Sequence, residues 1–208
     1  ILCVALLVAC GASNEPEVKE PAVSLGSGDL QQLKQPRAVE EVMRDPRLRA
    51  RALLAQSEYK EALRAFELAR QQNPQSGEIL VGLGRTHLAL GDVEKASQLY
   101  EMAVALEPNN PSLQVGLGIF HLKFNRYGEA ETAFRTALDM DSSYVAARRN
   151  LAAVYSKGGR LADAAREYER ALSLQPADIN TRFNLGLVHV HLGQYDRAKA
   201  LLNKVVKE

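Results

Sequence analysis

The chain has 208 residues, 46% of them hydrophobic and 25% charged, with a formal net charge of +1. That mix is ordinary for a globular protein, and the near-neutral balance gives no bulk attraction for nucleic acid. Its two cysteines are Cys3 and Cys10, so no disulfide can join segments of the remaining chain.

The first element is the apolar run Ile1-Leu2-Cys3-Val4-Ala5-Leu6-Leu7-Val8-Ala9-Cys10. It is too short to cross a bilayer as a helix and reads as the hydrophobic core of a secretory signal (residues 1–9) whose start is not included. Its end, Leu7-Val8-Ala9-Cys10, resembles the bacterial lipobox. The resemblance implies a lipidated Cys10 as the new N-terminus after cleavage. It also implies anchoring at the periplasmic face of the outer membrane, because Gly11 and not Asp follows the cysteine. Several acyl chains, each methylene contributing about 0.8 kcal/mol, make a firm anchor. Residues 10–35 carry Pro16, Pro21, Gly26 and Gly28 among scattered Ser and Glu, without a hydrophobic period. They are expected to form a flexible tether with a root-mean-square reach of roughly 25–30 Å.

Residues 36–76 are expected to hold a short helix over Arg37–Arg44 and a divergent helix pair. Asp45-Pro46 reads as an N-cap followed by proline at the first helical position. Thereafter the chain repeats every 34 residues, in units at 77–110, 111–144, 145–178 and an incomplete one at 179–208. Leu83, Leu117, Leu151 and Leu185 share one position, and Gly84, Gly118, Ala152 and Gly186 the next. Ala62, Ala96, Ala130, Ala164 and Ala198 share another, and Phe66, Tyr100, Phe134, Tyr168 and Leu202 a fourth. Ser57, Gly91, Asn125, Gly159 and Gly193 occupy a turn position. Pro74, Pro108, Ser142 and Pro176 close the units. Within a unit, apolar residues recur at helical spacing on both sides of the turn, predicting two antiparallel helices. A fixed period of this size means stacked units and not one closed domain.

This set of positions resembles the tetratricopeptide repeat over about four fifths of the chain. The resemblance implies an all-α, right-handed superhelical solenoid of about five helix pairs, each covering the apolar face left by the last. In the family, the first helix of each unit lines a concave groove that takes a protein or peptide. Carried over, the groove positions are Arg47 and Arg51 in the first unit and Val81, Arg85 and Leu88 in the second. The third supplies Val115, Ile119, Leu122 and Lys123. Arg149, Asn150 and Lys157 follow in the fourth, and Asn180, Phe183, Asn184 and Leu187 in the fifth. The expected groove is apolar in its middle and basic along its edges, with Asn150 and Asn184 able to meet a peptide backbone.

His87, His121 and His189 share one repeat position, with Tyr155 in the remaining unit. The row suggests a metal, but helices stack about 8–10 Å apart while zinc needs nitrogen at about 2.0–2.1 Å, so these rings are expected to pack. No phosphate loop, catalytic triad or paired-carboxylate motif is legible, and neither an enzyme activity nor a cofactor is expected. The reading is a non-catalytic interaction scaffold. Lipobox, tether and repeats together resemble the lipoproteins that assist assembly of type IV pilus secretins. An adaptor for cell-wall hydrolases and an accessory region of a larger protein remain alternatives.

Overall fold

The computed structural model describes residues 44–207, so the signal, the tether and nearly all of the helix expected before Asp45 lie outside the described residues. Ten helices are described: α1 Pro46–Ala55, α2 Tyr59–Gln72, α3 Gly77–Ala89, α4 Val93–Leu106 and α5 Pro111–Lys123, then α6 Tyr127–Met140, α7 Val145–Lys157, α8 Leu161–Leu174, α9 Ile179–His191 and α10 Tyr195–Lys207. No strand occurs among the described residues.

Local chemistry sets the helix ends. Asp45 caps α1 by accepting the Arg47 amide at 2.8 Å, with Pro46 at the first helical position. Asn110 does the same for α5 ahead of Pro111, accepting the Ser112 amide at 3.1 Å. Each pair turns through one residue with positive φ: Ser57 at 63°, Gly91 at 87°, Asn125 at 56°, Gly159 at 76° and Gly193 at 72°. These are the five turn positions of the repeat. Three of the five use glycine, which enters this region without a Cβ penalty.

Packing follows the 34-residue lattice. The small residue on the first helix of a unit lies under the large residue on its second. A Cβ added to Gly118 would sit 2.5 Å from Phe134, one on Gly186 would sit 2.8 Å from Leu202, and one on Gly84 3.2 Å from Tyr100. Ala152, Phe134 and the alanines at 62, 96, 130 and 164 are wholly buried. Small side chains let the paired axes approach, and the ring then fills the groove between them.

Each helix packs on its partner, and the second helix of each of the first four units packs on the first helix of the next. The first helices also touch directly, α1 on α3, α3 on α5 and α5 on α7. The odd-numbered helices therefore form an inner layer and the even-numbered ones an outer layer. This is the all-α solenoid of antiparallel helix pairs that the repeat predicts.

Candidate functional site: the inner groove

The inner face is not uniform. At its N-terminal end Arg47, Arg51 and Leu54 of α1 face Glu78, Val81 and Arg85 of α3 across a cleft of about 50 Å³ floored by Phe66, Ile79 and Gly82. Arg51 donates to Glu78 at 3.2 Å, and Arg47 pairs with Asp45 at 3.0 Å. Four of the residues expected in the groove, Arg47, Arg51, Val81 and Arg85, thus converge here. Leu88 lies next along α3, half-buried against the Tyr100–Phe120 cluster.

The middle of the groove corrects the expectation. Val115, Ile119 and Leu122 are 4%, 9% and 2% exposed, inside one core cluster with Leu151, Val154 and Leu185. Their apolar surface therefore holds the stack together and is not offered to a ligand. Asn150 is corrected in the same way. It is 4% exposed, and its side-chain amide donates to the Ala146 carbonyl of its own helix at 2.9 Å. Lys123 and Lys157 are exposed at the ends of α5 and α7.

The C-terminal end is apolar. Phe183 is 43% exposed on α9, Leu187 is half-buried one turn on, and Asn180 is exposed one turn before. Asn184 shares a hydrogen bond with the Tyr168 hydroxyl, whose ionisation burial pushes upward. Arg149 is committed to the joint between units, donating to Asp178 at 3.1 Å. Asp178 is the N-cap of α9 and also accepts the Thr181 hydroxyl at 2.6 Å. Burial pushes the Asp178 carboxyl up, but the Thr181 hydroxyl and amide with the Arg149 guanidinium outweigh it and hold its pKa below the usual carboxylate range.

The histidine row resolves into separate packing sites. His189 is 3% exposed with Nδ1 2.7 Å from Gln194 Oε1, and His87 Nδ1 lies 3.4 Å from Asp92. His121 packs edge-on to Phe120 with ring centroids 5.6 Å apart, and burial holds its pKa below the ordinary histidine value. Tyr155, in the same position, donates to Glu131 at 3.1 Å and lies under Arg160, whose guanidinium carbon is 4.1 Å from the ring centroid.

Sequence reasoning missed the arginines at the fourth position of the last two units. Arg148 reaches back to the Ser142 carbonyl at 2.5 Å and pairs with Glu167 at 2.7 Å. Arg182 reaches the Pro176 carbonyl at 2.5 Å. Each satisfies a carbonyl in the turn that closes the preceding unit, where Leu80 fills the same position in the second unit. The signal was available: two charged residues, 34 apart, each follow a core residue, Ala147 and Thr181.

Antiparallel helix pairs in 34-residue register, with small positions seated under aromatic ones, define a tetratricopeptide-repeat solenoid. Residues 36–208 match the family described as the cilia and flagella-associated protein 70 C-terminal domain, and the chain belongs to that family. No curated protein matches the chain significantly. Among solved structures, it is similar to the thermophilic tetratricopeptide protein TTC0263 of Thermus thermophilus, with a TM-score of 0.68 and 25% identity over 79% of this chain and 90% of that one. It is also similar to pilF of Pseudomonas aeruginosa, with a TM-score of 0.72 and 18% identity over 81% and 77%. For MamA of Desulfovibrio magneticus RS-1 the TM-score is 0.64 at 22% identity over 78% and 92%. The pilF and MamA likenesses, below 25% identity, are likenesses of fold.

Proposed function

We propose that the chain is a non-catalytic scaffold whose inner groove docks an extended protein segment at two ends of unlike chemistry. The observation that carries this is the polarity of the groove: an arginine-lined cleft between α1 and α3, and an exposed phenylalanine on α9. The partner segment supplies acidic groups to the first and apolar side chains to the second. Desolvated apolar contacts contribute most of the affinity, while the charges set register and selectivity. The test is binding of the partner to wild type, Phe183→Glu and Arg51→Glu. Loss of affinity in both variants with unchanged helical content supports the groove, and unchanged affinity in both removes it.

The scaffold is further proposed to hang from the periplasmic face of a bacterial outer membrane through a lipidated Cys10, and to assist assembly of an envelope complex such as a type IV pilus secretin. The Leu7-Val8-Ala9-Cys10 run and the tether after it support this reading. Labelled palmitate should mark wild type and not Cys10→Ala. Normal secretin multimers in a deletion strain would remove the pilus role. A second reading has one observation in its favour, since the matched family is described as a C-terminal domain. It makes the chain the interaction region of a longer protein, and the full reading frame decides between them.

A further inference from the structure

A second cleft, of about 250 Å³, opens on the N-terminal end of the stack, on the side of α1 and α2 away from α3. Pro46, Ala65 and Leu68 give it an apolar floor, and Leu68 is 47% exposed. Arg44, Arg49 and Arg64 form its rim, with Glu61 beside them. Among the described residues these three arginines have no ion-pair partner, unlike Arg47 and Arg51 of the groove. An end unit of a solenoid leaves such a face wherever no neighbour covers it.

We propose that this cleft seats the segment just before it, residues 37–43, as an amphipathic helical turn that caps the solenoid. Three observations converge on that occupant. The family match begins at residue 36 and not at Pro46, so the segment belongs to the matched domain. At about 100° per residue, Ala38, Val39, Val42 and Met43 fall within an arc of about 140°. Glu40 and Glu41 flank that arc, one on each side. A helix laid with its apolar arc on Pro46, Ala65 and Leu68 therefore brings one carboxylate to each side of a rim built from three arginines. The segment joins directly to Arg44, so only a short loop closes and its entropy is small.

The experiment is hydrogen exchange on the full chain, comparing wild type with Val39→Asp/Val42→Asp. The cap predicts at least tenfold faster exchange across α1 and α2, with α7 and α8 unchanged as the control for global unfolding. Arg64→Glu should accelerate the same amides, and Glu40→Arg/Glu41→Arg in that chain should restore them. Unchanged exchange in the Val39→Asp/Val42→Asp chain overturns the proposal. Protection of α1 and α2 that rises with protein concentration also overturns it, because the occupant is then a second copy of the chain.

Discussion

The second and third units place the same three groove positions in opposite environments. Val81, Arg85 and Leu88 are half-buried, and the first two border an open cleft, whereas Val115, Ile119 and Leu122 are core residues. The difference lies in the neighbour. Val115, Ile119 and Leu122 share a core cluster with Leu151 and Val154 of the fourth unit, while Arg47 and Arg51 of α1 line an open cleft with α3. A repeat position thus sets the direction of a side chain, and the adjoining unit decides whether that direction ends in solvent.

The sharpest way to break this comparison is to place a charge at each kind of position. Ile119→Glu puts a carboxylate into the buried core cluster, with an expected loss of more than about 4 kcal/mol and collapse of the thermal transition followed by circular dichroism. Phe183→Glu, at a position already 43% exposed, should change stability by less than about 0.5 kcal/mol. If both variants melt alike, the two regions do not differ in the way described.

Gly118→Ala drives a methyl group to 2.5 Å from a wholly buried Phe134 ring, and should destabilise by about 1–3 kcal/mol in urea titration. Gly84→Ala, where the contact to the Tyr100 ring is 3.2 Å, should be milder. Asp178→Asn keeps the N-cap but removes the charge facing Arg149, with an expected loss of about 1.5–3 kcal/mol at neutral pH. The folded-state pKa of Asp178 is depressed, so this stability is fully present above the unfolded value of about 3.9 and is lost as pH falls through the lower folded value. The acid limb of wild type should therefore be steeper than that of the variant below about pH 4. A smaller effect is a gain. Ser57→Gly and Asn125→Gly relieve positive φ and should each stabilise by about 0.5 kcal/mol, Ser57 the more clearly because asparagine tolerates this conformation better.

Much of the fold was legible because its causes are local. Asp45-Pro46 announced a helix start, and all five turn positions read from the period, Ser57 and Asn125 included, have positive φ. The small and aromatic lattices were legible as packing, although their partnership is closer than expected: Phe134 sits over Gly118 itself. The groove was legible only as a direction. Val115 and Asn150 fail as ligand contacts because their exposure depends on the core cluster that neighbouring units build and on a hydrogen bond within α7, and neither is encoded in a single position. Arg149 carries a groove assignment by position, but its charge is engaged by Asp178, 29 residues away. The Arg148 and Arg182 contacts stayed hidden for a related reason, since a long side chain reaching a backbone carbonyl in the preceding turn leaves no hydrophobic period.

The proposed docking of partners on the inner layer, at its two ends, is tested most directly by site-specific photocrosslinking in the native cell. The reactive group is placed at Arg51 or Phe183 on the inner face, or at Met102, which is 47% exposed on the outer helix α4. Positions 51 and 183 should label one and the same protein, and position 102 should not. Adducts from position 102 alone would place the docking surface on the outer layer and contradict the inner groove.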